Sequence, residues 1–478
     1  MNDREFIKKI VDQKKEMILD ANDRIHDFAE ISYEEVQSAA LLCEILEKEG
    51  FEVKKGLAEM PTCFTGSWGS GRPVMGILGE YDALEALSQV SSCTTKKPLK
   101  EGAPGHGCGH CSLGTGALLA AIAVKEYLKE NKLEGTIIYF GCPAEEGAGS
   151  KQFMARAGLF NDCDFVYTWH PSTQNDISAD TSTAIMGGNF AFTGITAHAG
   201  GSPWLGRSAL DAAELMSVGC NYLREHIPDG QRIHYAYSDV GGSAPNVVQG
   251  HACVKYEVRA RSVKEVIALW DRVVKVAEGA AHMTETTVNI EKTMAFSDHT
   301  NNSVLAEIAS GCLQELGAPE WDEEDYALAR GFLNSYEEMQ MKGIRESIIA
   351  QYGEENLEAV MARPLSSAVI PYDKKSGEFK GGSTDVGDVS YCAPTCEVHV
   401  ACACIGNIGH TWQMAGQSGS RIAHKGLLRA AEVIALSCIR TMKDPEAMEK
   451  AKAELLKKNG GRYTCPLPDE VKPPIGKY

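Results

Sequence analysis

Four short segments of this chain are apolar on both alternating faces: PVMGILG (73–79), TIIYFGC (136–142), DFVYTW (164–169) and EVHVACACIG (397–406). A strand that alternates apolar with polar residues covers one face of a sheet, whereas a strand apolar throughout must be covered on both. Helical stretches precede and separate them. Residues 4–30 carry a face marked by Phe6, Ile7, Ile10 and Val11, and residues 33–49 one marked by Val36, Ala39, Ala40, Leu42 and Leu46. SLGTGALLAAIAVKEYLKE (112–130) is apolar nearly all round, the mark of a deeply buried helix. The pattern predicts an α/β fold, a mostly parallel central sheet covered by helices.

The middle of the chain differs. From 184 to 297, GGNFAFTGITAHA, HACVKYEVRARS and TTVNIEKTMAF have the mixed polarity of strands exposed on one face, with two amphipathic helices between them. This predicts an α+β domain inserted in the larger one. The larger domain then comprises residues 1–183 and 298–478, and 478 residues are ample for both. Residues 318–380 read as helices and loops decorating it, and the Pro-rich tail GRYTCPLPDEVKPPIGKY as extended.

With 47 Lys and Arg against 65 Asp and Glu, the net charge is −18, which argues against nucleic acid or an anionic membrane as partner. The N-terminus is charged throughout and has no apolar core of a signal peptide. No apolar run approaches the ~20 residues of a membrane span. Sixteen cysteines are scattered, mostly in apolar runs such as LLCEIL, and read as reduced thiols of a cytoplasmic protein.

Ligands of open α/β sheets bind beyond the carboxyl ends of the strands. Those ends run into Glu80-Tyr81-Asp82, Pro143-Ala144-Glu145-Glu146-Gly147, His170-Pro171, and Asn407 followed by His410. The buried helix is preceded by Gly105-His106-Gly107-Cys108-Gly109-His110. Taken singly, His170 or His410 is an ordinary hydrogen-bonded histidine and Glu145-Glu146 a solvated pair. Taken together, thiolate, imidazole and carboxylate are the ligands of a transition-metal site. Adjacent glutamates on a loop point in different directions, so one can bind metal while the other acts as base toward the attacking water.

In this order, GHGCGH, CPAEEG, TWHP and GHTWQ resemble the aminoacylase and auxin-conjugate amidohydrolase branch of the dinuclear metallopeptidases. GEYDALEALSQ, GITAHAGGSPWLGRSALDA, SAPNVVQG, GGSTDVGDVS and AHKGLLRAA extend the resemblance from about residue 20 to the tail. It implies a catalytic domain in two segments with a lid, 184–297, that makes a homodimer. It implies two divalent ions per subunit, manganese first and zinc as the alternative, held by Cys108, His110, Glu146, His170 and His410. Glu145 is then the general acid/base, and His198 of the lid stabilises the oxyanion in the partner subunit's site. Asn246 and Arg259 hold a substrate carboxylate, a role for which Arg has a suitable planar fork; a strand salt bridge is the plainer reading of Arg259. The implied reaction is hydrolysis of an N-acyl amino acid, p-aminobenzoyl-glutamate first, with a dipeptide or another N-acyl amino acid as alternatives. A related A-type chain is a further candidate partner. The branch usually has Asp after its CGH triplet, where this chain has Cys111. Glu80 and Asp82 stand where distant relatives keep a metal-binding His and a supporting Asp, and are supporting candidates only.

Two readings from other classes remain. Cys108-Gly109-His110-Cys111 is a C-x-x-C at a helix start, a motif of thiol–disulfide exchange. However, a loop precedes it rather than a strand, and it leaves both glutamates, His170 and His410 without a role. The other is a non-catalytic protein that depends on a partner, although every candidate ligand and the base are present.

Overall fold

The doubly apolar runs do assemble into one sheet. The structure is a computed structural model that describes residues 1–476. The last two residues of the Pro-rich tail lie outside the described residues. Strands Glu52–Lys55 (β1), Phe64–Ser70 (β2), Val74–Glu80 (β3), Gly135–Cys142 (β4) and Phe165–Ser172 (β5) come first. Ala184–Thr193 (β6), Arg232–Asp239 (β7), His251–Ala260 (β8) and Thr287–Phe296 (β9) follow, and Thr395–Ala401 (β10) comes last.

One sheet runs in the order β1-β2-β4-β3-β5-β10. Within it β4, β3, β5 and β10 are parallel neighbours, while β2 lies antiparallel on β4 and β1 on β2. The fold class is therefore the one expected, α/β with a mostly parallel sheet. The carboxyl ends of the four parallel strands, at Glu80, Cys142, Ser172 and Ala401, share one edge.

Three details depart from the sequence reading. His170 lies inside β5, not beyond it. The run 397–406 is strand only to Ala401, because its neighbour β5 ends at Ser172 and no ladder remains. β10 is also an edge strand, its outer side met by a bridge from Asp176 to His399. Its Glu397 and His399 form a polar stripe there, with His399 Nδ1 2.7 Å from Asp176 Oδ1 and Nε2 3.2 Å from Glu397 Oε1.

The helix His110–Asn131 is buried around most of its circumference, as its composition requires. By length and composition it could cross a membrane, which run length alone did not reveal, but 94% of that stretch is packed inside the protein. Two glycines set how closely it approaches the sheet. A Cβ at Gly114 would lie 2.5 Å from the Glu80 carbonyl oxygen, and one at Gly116 2.8 Å from the Trp169 ring. The close approach brings the helix start, with His110, onto the end of β3.

The second sheet, β7-β8-β6-β9, is antiparallel throughout. Helices Ala209–Leu223 and Val263–Thr284 pack on it through a core that includes Phe190, Tyr256 and Trp270. Residues 318–380 supply helices Glu323–Leu333, Glu338–Tyr352 and Leu357–Ala362, which pack against Ile405 and Ile422. The tail returns to the periphery of the first sheet, where Arg156 donates to the carbonyls of Pro468 and Val471.

Candidate metal centre

The shared strand edge gathers six of the residues singled out by the sequence. Gly109, at φ +85°, ends the loop and caps the helix, so Cys108 and His110 flank one tight turn and their ligand atoms come within 4.8 Å of each other. His170 comes from β5, Glu145 and Glu146 from the loop after β4, and His410 from the loop after β10. His410 is held in a left-handed conformation (φ +56°) by a bond from its N–H to the Gly107 carbonyl, 2.9 Å. The first and last metal-site loops are thus joined backbone to backbone.

The ligand atoms converge in three overlapping groups: Cys108, His110 and His170; Cys108, Glu146 and His410; and Glu80, His110 and Glu145. Cys108 Sγ lies 3.4 Å from His170 Nε2, and Glu146 Oε1 lies 3.4 Å from His410 Nε2. His110 Nε2 lies 3.4 Å from Glu80 Oε2 and 4.0 Å from Glu146 Oε1.

A cation fits this set on the structure's own terms. His110 Nδ1 lies 2.8 Å from Asp82 Oδ1. If that nitrogen donates, Nε2 keeps a lone pair and faces two carboxylate oxygens. His110 Nε2 and Glu146 Oε1 are both buried and, among the described residues, neither makes a hydrogen bond, the ion pair of Glu146 with His410 apart. Buried polar atoms are rarely left so, and an ion between lone pairs accounts for both. His170 repeats the arrangement: Nδ1 lies 2.8 Å from the Pro171 carbonyl, which turns Nε2 toward the thiol.

The adjacent glutamates sit in opposite fields. Burial raises the Glu145 carboxyl well above its usual value, and the neighbouring carboxylates of Glu80 and Asp385 add to this. Burial also works to raise Glu146, but His410 and His110 prevail and hold it down to about 2. Carboxyl groups pushed apart in this way mark an acid/base and a permanent anion.

Of the groups that hold this loop, the sequence named Asp82 as a supporting candidate and missed Glu35 and Asp385. Ala144, at φ +60°, donates its N–H to Glu35 Oε1 at 2.8 Å. Glu146 N–H donates to Asp82 Oδ2 at 2.9 Å. Ser150 and Lys151 N–H donate to Asp385 Oδ2 at 2.8 and 2.9 Å. Burial, then Asp82, lifts the Glu35 carboxyl to about 8. Asp385 lies within the GGSTDVGDVS block, which gave a signal without a role; Glu35 gave none. His106 is a structural residue: Nε2 lies 3.0 Å from the Ile25 carbonyl, and burial pushes its imidazole down to about 3.

The lid residues are not brought into this cluster within one chain. His198 is exposed on a lid loop, where its Nδ1 accepts from Gly200 and Gly201 N–H at 3.1 and 3.0 Å. That leaves Nε2–H to donate elsewhere. Its segment pairs with that of Asn246, since Ala199 N–H donates to the Asn246 carbonyl at 3.0 Å. Arg259 lies near the far end of β8, so strand rise alone separates it from Asn246 by roughly 25 Å. There Arg259 donates to Ser383 Oγ at 3.0 Å, with Glu257 3.8 Å away.

The C-x-x-C reading finds no support in this setting, because burial pushes both the Cys108 and Cys111 thiols up to about 12, the reverse of an exchange-active thiol. All sixteen cysteines are unpaired.

A cavity of about 390 Å³ opens beside Glu146 and His410, lined also by Ile31, Ala83, Leu84 and Leu87. A larger one, about 660 Å³, lies near the opposite strand ends beside Arg72, Asp164 and Pro394 and includes none of the ligands.

A family model described as peptidase family M20/M25/M40 matches residues 76–356. The chain is 39% identical, over 98% of both sequences, to the B component of p-aminobenzoyl-glutamate hydrolase of Escherichia coli (strain K12). It is 26% identical to the A component of that hydrolase from the same organism, over 54% of this chain and 70% of that one. A solved dinuclear metal-binding peptidase of the M20 family from Bacillus subtilis superposes with a TM-score of 0.58 at 14% identity, covering 90% of this chain and 99% of that one.

Proposed function

The chain belongs to peptidase family M20/M25/M40, and from that premise we propose that it hydrolyses the amide of p-aminobenzoyl-glutamate to p-aminobenzoate and glutamate. The observation that carries the proposal is the pair Glu145 and Glu146, set in opposite fields beside the partnerless Nε2 of His110. The substrate follows from the relative 39% identical over nearly the whole chain.

Cys108, His110, Glu146, His170 and His410 would hold two divalent ions, manganese by the family resemblance and zinc as the alternative on ligand softness. When bound, the ions polarise the scissile carbonyl and acidify the attacking water. Glu145 takes that water's proton on a carboxylate oxygen and returns it to the leaving nitrogen of glutamate. Its buried, acid-rich setting makes it a stronger base than a free carboxylate. The cavity beside His410, with Ile31, Leu84 and Leu87 in its walls, suits the aromatic acyl ring.

The opposite placement of Asn246 and Arg259 supports a dimeric site. We infer a homodimer through the lid, in which His198 and Asn246 reach the partner's centre while Arg259 meets the substrate carboxylate in its own. Trp204, Leu205, Tyr222 and Val247 are exposed apolar residues of the lid, as an interface requires. Both components of the hydrolase, A and B, are relatives, so a hetero-oligomer with an A-type chain is the second assembly to test. We place the enzyme in the cytoplasm, on its sixteen unpaired thiols.

The test is release of p-aminobenzoate by the chain expressed alone, loaded with manganese or zinc. N-acyl amino acids and dipeptides run beside it. Fastest turnover of p-aminobenzoyl-glutamate is expected. Preference for a dipeptide would replace the substrate, and activity only with an A-type chain would replace the assembly.

A further inference from the structure

Lys151 is fully buried and begins the helix Lys151–Arg156, directly after the loop that carries Glu145 and Glu146. Its Nζ lies 2.7 Å from Glu80 Oε1 and 2.5 Å from Asp385 Oδ1. Asp385 is itself immobilised, because its other oxygen takes the N–H groups of Ser150 and Lys151. The second oxygen of Glu80 faces His110 Nε2 at 3.4 Å, and Glu80, His110 and Glu145 all lie within reach of one ion.

Burying an ammonium with carboxylates costs about as much as their attraction returns, so stability alone is a poor reason for such a group. Its place supplies a better one. Glu80, Asp82, Glu145, Glu146 and Asp385 bring five carboxylates around the centre, and Lys151 is the cation fixed among them. A glutamate with one oxygen on a braced ammonium cannot rotate freely, so its other oxygen keeps one direction. A compact ammonium with three donors suits this position, where the wide fork of Arg does not.

We propose that Lys151 is a positioning residue of the hydrolytic site: braced by Asp385, it holds Glu80 with its free oxygen on the metal-binding face of His110. The inference rests on the metal-hydrolase reading above. It assigns Glu80 a working carboxylate and Lys151 the task of aiming it.

Metal titration and the visible spectrum of the cobalt-substituted protein test the proposal together with kcat and KM for p-aminobenzoyl-glutamate. Glu80→Gln and Lys151→Met should each shift the cobalt bands, weaken metal binding about tenfold or more and lower kcat by a similar factor, with little change in KM. The double variant Lys151→Met/Glu80→Gln removes both members of the pair, so its melting temperature should recover toward wild type. Its spectrum and kcat should stay altered, because the aimed carboxylate is gone. Recovery of spectrum and kcat along with stability would reduce the pair to a structural ion bridge and overturn the proposal. So would a wild-type spectrum and metal affinity in Lys151→Met. If Lys151→Met does not fold, Asp385→Asn decides: it can keep the backbone bonds through its amide oxygen while loosening the ammonium. Shifted bands are expected there, and unchanged bands overturn the proposal. Failure of the wild-type protein to cleave amides would sink the functional reading alone, since spectrum and metal affinity report on Lys151 without a substrate.

Discussion

At the scale of single residues, the proposed mechanism assigns different groups to holding metal and to moving protons. Glu145→Gln keeps the side chain's volume and removes the base. It should lower kcat by about 10²–10⁴-fold while metal content by mass spectrometry stays at wild type; wild-type rates would remove Glu145 from the mechanism. Cys108→Ala should lose metal and activity together, and full metal occupancy would exclude it as a ligand. The candidate ligands were legible because each lies near the carboxyl end of a strand or the start of a helix, where a polar residue among apolar ones stands out. Glu35, Lys151 and Asp385 were not. They act on backbone N–H groups or on each other from segments up to 235 residues away, and no local pattern records such a bond.

At the scale of elements, the position of His110 depends on how closely its helix lies to β3. A methyl group at Gly114 meets a backbone oxygen, which cannot turn aside as a side chain can. Gly114→Ala should therefore destabilise by about 1–3 kcal/mol in urea unfolding and reduce metal retention. Gly311, in helix Ser303–Leu316, has open space around its would-be Cβ, and Gly311→Ala should stabilise by about 0.4–1 kcal/mol. If both variants behaved alike, close packing of the helix would not be what sets the centre. The polar stripe of β10 makes a separate prediction. Burial works to lower the His399 imidazole, but Asp176 and Glu397 prevail and lift it to about 10. Raised above its unfolded value near 6.5, it contributes fully below that pH and loses its contribution as pH rises through about 10. The melting-temperature advantage of the metal-free wild type over His399→Gln should shrink across that window, and a constant difference would contradict it. The central strands were plain from their apolar runs. β1 and β2 were not, being short and partly polar at the sheet's margin, where no second covering layer dictates composition.

At the scale of the whole molecule, a site completed by a second protomer has a distinctive signature. His198→Ala and Glu145→Gln homodimers should each be nearly inactive. In mixed dimers one site of the two receives neither substitution, so mixing after dissociation should restore up to about a quarter of wild-type activity. No recovery in confirmed mixed dimers would confine His198 to its own chain. The two-sheet architecture was visible in the change from doubly apolar to mixed strands at residue 184. The helices at 323–362 were foreseen only in kind, because their small core is borrowed from Ile405 and Ile422 far along the chain.

The bond between the Gly107 carbonyl and the His410 N–H has a consequence for how the protein comes into being. The ribosome delivers Cys108, His110, Glu146 and His170 early, but β10 and His410 only after the entire second sheet has been made. A nascent chain that has finished its first 300 residues holds an open half-centre, with β5 still lacking its outer neighbour. Closing so long a loop is slow compared with forming local contacts. The last proposed ligand therefore arrives with the event that adds the late strand β10 to the strands made first, and a finished centre reports that this long-range pairing has formed.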